Sequence, residues 1–226
     1  MYDGIADWYE RWIDGGGDAA QGTTWRLTKD LLGNGPGRLV EIGCGGGRLI
    51  PLLAELGWTV IGVDESADQL RVAADRADAA ALVHADATAL PFDDDSFDAA
   101  VAVLVSTDVE PWETAVHEAA RVLRPSGRFV HVGLHPCFVG PHAVLREEDG
   151  RRIVGPGYRV RERQFDLPAF RPGGIREKIG AVHVPLDELL SALLDAGLVV
   201  DAARESSEEP PLYFGVRARK PSRDAA

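Results

Sequence analysis

Short runs of apolar and β-branched residues alternate with longer stretches of helical spacing through the middle of the chain. Five such runs predict buried strands, over residues 38–42, 59–63, 81–85, 97–103 and 128–132. The stretches between them predict helices over residues 48–56, 66–77 and 112–123. Strands and helices that alternate in this way form βαβ units, whose right-handed crossovers give a doubly wound, mostly parallel sheet. Such sheets bind their ligands at the carboxyl ends of the strands.

The two ends of the chain and the stretch after Val132 have a different pattern. Residues 1–37 predict two short helices, over 5–13 and 24–32, that form a lid. Residues 135–184 are rich in Gly, Pro and Arg and predict an inserted cap with a hairpin over 153–160. A helix over 185–196 and strands over 198–203 and 213–219 bring the sheet to seven strands. We therefore predict one α/β domain over residues 1–226, made of a lid (1–37), a core (38–134), a cap (135–184) and a C-terminal part (185–226).

Composition disfavours several classes of protein. A chain of 226 residues that is 45% hydrophobic can bury a core, and its net charge of −12 opposes binding to nucleic acid. The longest uninterrupted apolar run is the seven residues Ala99–Val105, too short for a membrane span, and we expect a cytoplasmic protein with no membrane partner. Two cysteines, Cys44 and Cys137, indicate neither a disulfide framework nor a zinc site. The charge is uneven, since residues 135–184 carry +3 and the remainder −15.

A glycine-rich loop, EIGCGGG over residues 41–47, follows the first predicted strand and leads into a helix. Glycines at a strand-to-helix turn let the backbone approach a ligand closely. The third glycine of a dinucleotide fingerprint would fall at position 48, which is Arg48. The loop therefore predicts a cofactor site and disfavours a nicotinamide dinucleotide.

Two aspartates end the next two predicted strands. Asp64 lies 21 residues after Gly43, where a carboxylate can accept both hydrogen bonds of a ribose diol. Asp86 ends the third strand, where its carboxylate and the neighbouring backbone N–H can contact an adenine edge. Each also has a purely structural alternative, because Asp64 could cap the helix that begins at Ser66 and Asp86 could hold its own turn.

Four segments in this order resemble the class I S-adenosylmethionine-dependent methyltransferases, particularly the branch that acts on small molecules. They are residues 39–47, residues 62–66, residues 85–92 with 96–98, and residues 118–127. The resemblance is dense over residues 36–133 and implies a Rossmann-like methyltransferase fold with S-adenosyl-L-methionine as cofactor. A cleft lined by carboxylates attracts a cationic sulfonium, whereas it would repel an anionic pyrophosphate.

The resemblance also implies a role for individual residues. The glycine loop should approach the methionine portion, with Glu41 supporting the loop and facing the cationic end, while Asp64 holds the ribose and Asp86 faces the adenine. Leu104 should lie against the cofactor near its reactive centre, and Tyr9 is the best candidate for a lid contact. The predicted cofactor-binding residues are Tyr9, Glu41, Gly43, Cys44, Gly45, Asp64, Glu65, Asp86, Ala87 and Leu104.

Methyl transfer to an acidic oxygen or to an amine needs only alignment and a base that removes a proton. His135 follows the fifth predicted strand, and His183 precedes the last helix, so both are candidate bases. Asp108 lies where many members of the family carry a histidine or an aromatic residue, so it is an alternative base or an amine contact. Each of these residues also has a structural alternative, since the histidines could anchor the cap and Asp108 could hold a turn.

The acceptor side is less specific in sequence. Trp8 of the lid, and Tyr158 and Arg159 of the cap, are the predicted substrate contacts, and the positive charge of the cap favours an anionic acceptor as one alternative. The run Asp93–Asp95 is more typical of a solvated turn than of a metal site, and we predict no metal.

Together these features predict methyl transfer from S-adenosylmethionine to an oxygen, or less favourably a nitrogen or carbon, of a small metabolite. One alternative is a methyltransferase-like protein that binds the cofactor for a non-methylating or regulatory role. The other is an NAD-dependent oxidoreductase, which Arg48 and the Asp86 segment disfavour.

Overall fold

The computed structural model describes residues 1–17, 21–77, 81–146, 149, 151–165 and 173–222. Its helices are α1 (Ala6–Trp12, continued by a π-helical turn over Ile13–Gly17), α2 (Gln21–Leu32), α3 (Ile50–Glu55), α4 (Ala67–Ala73), α5 (Trp112–Val122), α6 (Ile175–Ile179) and α7 (Leu186–Asp195). Its strands are β1 (Gly37–Ile42), β2 (Trp58–Asp64), β3 (Ala81–His84), β4 (Phe97–Val103), β5 (Leu123–Leu134), β6 (Ala143–Leu145), β7 (Arg152–Val154), β8 (Val199–Glu205) and β9 (Tyr213–Arg219). Within these residues no helix combines the length and the hydropathy of a membrane-spanning segment.

Seven of these strands form one sheet in the order β3-β2-β1-β4-β5-β9-β8. Strands β1 to β5 run parallel, while β9 pairs antiparallel with both β5 and β8. The predicted doubly wound, mostly parallel sheet of seven strands is therefore confirmed. The strand order reverses between β1 and β4, and the carboxyl ends at such a switch point are where ligands bind in sheets of this kind.

The sheet is buried on both faces because its central strands are apolar throughout. On β4, Ala99 and Val101 pack with α2 and α3, whereas Ala100 and Ala102 pack with α5 and α7. This alternation follows from the two-residue period of a strand. The helices on the two faces hold the strand ends in fixed positions, which is what a site at the carboxyl edge needs.

The cap forms a small separate sheet, and its position corrects one prediction. β6 pairs antiparallel with β7, with Val144 opposite Ile153, so the turn of this hairpin lies before Arg152. The predicted hairpin over residues 153–160 is therefore wrong in position. The apolar pair Ile153 and Val154 does form a strand, but its partner precedes it in the chain, and Gly155 instead ends the pairing by donating its N–H to the carbonyl of His142.

Helix starts also follow from local chemistry. The predicted N-cap at Ser66 is confirmed, since its Oγ accepts the backbone N–H of Gln69 at 3.2 Å. α3 begins at Ile50, two residues later than predicted, with Pro51 in its first turn, where proline's missing N–H costs nothing. The loop between β1 and α3 is thus longer than the sequence pattern predicts.

Candidate active site

The carboxyl ends of β1, β2, β3 and β4 open into one cavity of about 400 Å³. Met1, Tyr2, Tyr9 and Ile13 of the lid form its opposite wall, and the segment after β4 forms one end. All ten residues that the sequence predicts as cofactor contacts line it, together with Asp108. The described residues of the wall also include Met1, Tyr2, Arg48, Gln69, Glu110 and Arg163.

The glycine loop requires glycine at Gly43. Its φ is +70°, and a Cβ there would lie 2.6 Å from Val105 Cγ2. The backbone N–H groups of Gly43 and Cys44 both donate to the carbonyl of Val63, which fixes the loop on β2. Burial raises the pKa of the Cys44 thiol above its usual range, so Cys44 is an unreactive wall residue and not a nucleophile.

Asp64 ties the end of β2 to the glycine loop. Its Oδ2 accepts the N–H of Gly45 at 2.8 Å, and its Oδ1 accepts the N–H of Ser66 at 2.9 Å. Burial raises the pKa of the Asp64 carboxyl. Each carboxylate oxygen has a second lone pair, so the structural role and a contact with a ribose diol are compatible.

Asp86 and Ala87 lie at the neighbouring strand end. The Oδ1 atom of Asp86 accepts the N–H of Thr88 at 2.8 Å, so this carboxylate does hold its own turn. Both residues nevertheless line the cavity. Glu65 is beside them, and its carboxylate lies 3.4 Å from the N-terminal amine.

Glu41 is buried at the floor of the cavity and is 3% exposed. Its Oε2 atom has no hydrogen-bond partner in the described structure. Burial, with a smaller contribution from nearby Asp64, raises the pKa of Glu41 to about 8. A cation beside this carboxyl would stabilise its ionised form and satisfy the orphaned oxygen.

Gln69 is a wall residue that the sequence analysis missed. Both its side-chain nitrogen and its side-chain oxygen are buried without a partner within the residues described, and the side chain lies beside Gly45. The segment from Ser66 to Gln69 has the spacing of a capping box, in which the glutamine would bond to the N-cap N–H. Here Asp64 takes that N–H, which leaves the Gln69 amide unsatisfied at the cavity.

The lid is held over the cavity by polar contacts along its length. Asp3 accepts the Ser66 hydroxyl at 2.7 Å, and Asp7 pairs with Arg71 of α4 at 2.7 Å. Tyr9 and Tyr2 face the cavity with their rings 5.4 Å apart. Trp8 does not line it, because its ring stacks on Trp12 and lies under the ammonium of Lys178.

Leu104 directly follows β4, has a φ of +59° and donates its N–H to the carbonyl of Val132 at 2.7 Å. A leucine in the left-handed region is strained, and such strain concentrates at functional sites. The turn places Leu104 and Val105 in the cavity wall next to the glycine loop.

Asp108 is the predicted base that lies in the cavity, and it is already engaged on both oxygens. Oδ1 forms an ion pair with Arg176 of α6, and Oδ2 accepts the hydroxyl of Tyr2 at 3.0 Å. Arg176 also donates to the Thr107 hydroxyl at 3.0 Å. Burial, and then the Asp108 charge, raises the pKa of Tyr2 well above its usual value. The lid, the core and the cap thus meet at Asp108.

His135 is not among the described residues that line the cavity. It is 3% exposed, its Nε2 lies 2.9 Å from Glu205, and its Nδ1 accepts the N–H of Cys137 at 3.2 Å. The ring packs between Phe138 and Phe214. The structure therefore gives His135 a role in fixing the turn after β5 and does not place it as a base at the cavity.

His183 and the two predicted cap contacts also lie elsewhere. The ring of His183 packs against His142 and Tyr158, and burial lowers its pKa to about 4. The Tyr158 hydroxyl accepts the N–H of Leu186 at 2.7 Å. Arg159 is exposed and pairs with Asp187. Tyr158 and Arg159 thus join the cap to α7, whereas His183 packs among cap residues and its Nε2 has no hydrogen-bond partner within the described residues.

The three consecutive aspartates diverge. Asp94 pairs with Arg121, and Asp95 pairs with Lys220. Within the part of the chain that the structure describes, no three His, Cys, Asp or Glu side chains converge as metal ligands.

Comparison with known proteins agrees with this geometry. The family described as Methyltransferase domain matches residues 40–131. A demethylmenaquinone methyltransferase of Renibacterium salmoninarum is 33% identical over 66% of this chain, but the match spans only 63% of that protein. A 27-O-demethylrifamycin SV methyltransferase of Amycolatopsis mediterranei is 31% identical over 92% of this chain and 75% of its own length.

A solved structure has the same fold as this chain. An S-adenosylmethionine-dependent methyltransferase of Mesorhizobium loti superposes with a TM-score of 0.70 at 25% identity, covering 89% of this chain and 98% of the other. That protein depends on S-adenosylmethionine, the cofactor that the sequence motifs of this chain imply. The chain therefore belongs to the class I S-adenosylmethionine-dependent methyltransferases, with S-adenosylmethionine as its cofactor.

Proposed function

We propose that this chain transfers a methyl group from S-adenosylmethionine to an oxygen of a small metabolite, with the cofactor bound in the cavity at the carboxyl ends of β1 to β4. The observation that carries the proposal is the convergence of all ten predicted contacts on one cavity under the lid. The relative from Amycolatopsis mediterranei, whose name specifies an oxygen, supports the choice of atom.

The unsatisfied groups in the wall fit the cofactor. Glu41 offers a buried carboxyl to the cationic methionine end, and Asp64 offers free lone pairs to the ribose hydroxyls. The Gln69 amide supplies a further donor and acceptor between them. Asp86 and Ala87 then face the adenine. This order along the sheet edge follows the order of the strands.

When bound, the cofactor supplies an electrophilic methyl on a sulfonium, so the protein has to align the acceptor and exclude water. The lid residues Tyr2 and Tyr9 close the cavity from one side, and the strained turn at Leu104 and Val105 closes it from another. We place the acceptor at the end formed by Asp108, Val109 and Glu110. A second cavity of about 350 Å³ shares Val109 and Glu110 with the first, which gives an acceptor room beside the cofactor.

Asp108 is the proposed proton acceptor. Its Oδ2 accepts a hydrogen bond from the Tyr2 hydroxyl. The O–H of the methyl acceptor can therefore give its proton directly to this oxygen, or it can protonate the Tyr2 hydroxyl while that hydroxyl gives its own proton to Asp108. Arg176 holds the carboxylate in place by pairing with the other oxygen. This arrangement suits an acceptor whose O–H is itself acidic, such as a phenol, because the paired carboxylate is a weak base.

The test is a screen of phenols, carboxylic acids and amines for release of S-adenosylhomocysteine, with mass spectrometry of the product. An O-methylated product supports the proposal. Cofactor binding without turnover on any acceptor class would instead support the non-methylating alternative, and binding of NADH in place of S-adenosylmethionine would support the oxidoreductase.

Asp108→Asn should lower kcat by about 10²-fold or more with the best acceptor, because the amide cannot accept the proton. The affinity for S-adenosylhomocysteine should change by less than about threefold, since this residue lies at the acceptor end. His135→Asn is the matched control and should retain most activity if its protein folds normally. A larger loss of kcat in the histidine variant would contradict the assignment.

A further inference from the structure

We propose that Arg48 binds the α-carboxylate of the cofactor and that the same guanidinium couples this contact to the lid helix. The inference rests on the proposed placement of S-adenosylmethionine in the cavity. In the sequence, Arg48 stands at the position of the third glycine of a dinucleotide fingerprint and disfavours that ligand. The structure places it in the cavity wall, directly after the glycine loop.

The cavity is acidic, and the cofactor's only anionic group has to find a cation in it. The charged groups of the described wall are the carboxylates of Glu41, Asp64, Glu65, Asp86, Asp108 and Glu110, the guanidinium groups of Arg48 and Arg163, and the amine of Met1. A carboxylate buried among these acids without a cation would be costly. Among the described wall residues, the partner of the cofactor's α-carboxylate is therefore Arg48, Arg163 or the amine of Met1.

The other cations are engaged away from the methionine end. Arg163 donates to Glu110 at 2.7 Å and to the carbonyls of Asp108 and Ile179, all beyond the end of β4. The amine of Met1 lies by Glu65, at the end of β2. Both are on the acceptor or nucleoside side of the cavity and not beside the glycine loop.

Arg48 follows the glycine loop and has an unused donor. Its Nη2 donates to Glu10 at 2.5 Å and to Asp14 at 2.8 Å. Its Nε is buried and has no hydrogen-bond partner within the described residues. A guanidinium has five N–H donors and binds carboxylates well, so a ligand carboxylate would satisfy this nitrogen.

The coupling follows from the partners of Arg48. Glu10 belongs to α1, is 9% exposed, and also accepts Arg76 at 2.6 Å. Arg76 in turn donates to the carbonyl of Gly46 at 2.7 Å. The lid helix, the glycine loop and the turn after α4 therefore form one hydrogen-bonded unit around Arg48. A carboxylate on Arg48 stabilises that unit, and with it the closed lid.

Two ligands separate the two ends of the cofactor. S-adenosylhomocysteine carries the amino acid part, whereas 5′-methylthioadenosine has the same nucleoside and sulfur without it. Calorimetric titration should show that Arg48→Met weakens S-adenosylhomocysteine by about 10- to 100-fold and methylthioadenosine by less than about twofold. Arg48→Lys keeps the charge and should recover part of the loss.

Arg71→Met is the matched control, because Arg71 pairs with Asp7 of the same lid helix but does not line the cavity. It should change both affinities equally and by less than about threefold. Equal weakening of both ligands by Arg48→Met, or no weakening of either, would overturn the proposal. Asp64→Ala tests the placement separately: it should weaken both ligands by at least about tenfold, and unchanged affinities would remove the placement itself.

Hydrogen exchange gives a second readout of the coupling. The amides of residues 6–14 should be protected more strongly by S-adenosylhomocysteine than by methylthioadenosine at matched saturation. In Arg48→Met this difference should disappear. Equal protection by both ligands in the wild-type protein would overturn the coupling.

Discussion

At the scale of single residues, the site depends on polar atoms that the folded chain leaves without partners. Among the residues that the structure describes, Glu41 Oε2 and both polar atoms of the Gln69 amide are buried at the cavity without a partner, which is costly in a protein without ligand. The backbone at the cavity is also unusual. Only glycine fits at Gly43, and Leu104 has a strained, left-handed backbone conformation. Each of these features lowers the stability of the fold, whereas a bound ligand would satisfy the unpaired atoms.

Glu41 predicts a pH dependence of binding. Its pKa is about 8 without ligand, so below that pH the side chain is protonated, and binding of an ammonium group next to it releases the proton. The affinity for S-adenosylhomocysteine should therefore rise as the pH increases from 6 to 8, by up to about tenfold per unit. Calorimetric titration at several pH values measures this.

Glu41→Gln should abolish this dependence, and methylthioadenosine, which lacks the ammonium group, should show none in the wild-type protein. A slope that is identical in the wild type and in Glu41→Gln would assign the titration to another group. In the free protein the raised pKa of Glu41 has the opposite effect, since it makes the free energy of unfolding fall as the pH rises from 4.5 to about 8.

At the scale of elements, short polar contacts hold the lid against a rigid sheet edge. Asp3 accepts a partly buried hydrogen bond at the start of α4. The Asp7–Arg71 ion pair on the surface of α4 is exposed, and exposed ion pairs contribute little and are screened by salt. The cap is fixed more firmly, by the half-buried Arg176–Asp108 pair and by the packing of His142, His183 and Tyr158. We therefore expect the lid to be the element that opens for exchange of the cofactor.

Asp3→Ala should release the first turn of the lid, because it removes the acceptor for the Ser66 hydroxyl and the Asp68 N–H. We expect S-adenosylhomocysteine to dissociate about three- to tenfold faster with little change in melting temperature. Stopped-flow fluorescence can follow this, since Trp8 and Trp12 lie in the lid. Asp30→Ala, on the exposed face of α2, is the control, and an equal effect there would count against a local cause.

At the scale of the whole molecule, acidic and basic residues are concentrated in different regions. The net charge of −12 is the sum of +3 on the arginine-rich cap and −15 on the rest of the chain, which includes the carboxylates of the cavity. In the structure, however, the cap arginines Arg159 and Arg163 pair with Asp187 and Glu110. These two arginines are thus neutralised locally by acids outside the cap, and they give no support to an anionic acceptor.

Two buried histidines predict loss of stability in acid. Burial lowers the pKa of both His131 and His183 to about 4 from an ordinary 6.5. The unfolded chain therefore binds more protons between these values, so the free energy of unfolding falls as the pH drops from 6.5 towards 4. Each histidine should contribute roughly 1 to 2 kcal/mol between pH 7 and pH 5.

Urea unfolding at the two pH values measures this loss. His183→Gln should reduce it, whereas His117→Gln, at an exposed position of α5, should leave it unchanged. The same loss in all three proteins would mean that His183 titrates normally.

The sequence by itself determined the sheet, the glycine loop and the ten predicted residues that line one cavity, because each is encoded within a few residues and parallel strands bring their carboxyl ends to one edge. Contacts between distant segments were not encoded in this way. Arg176 neutralises Asp108 from 68 positions away, and Glu10 joins Arg48 from 38 positions away. Local patterns do not specify such pairs, so only the tertiary structure decided that Asp108 lies at the cavity while His135 and His183 lie outside its described wall.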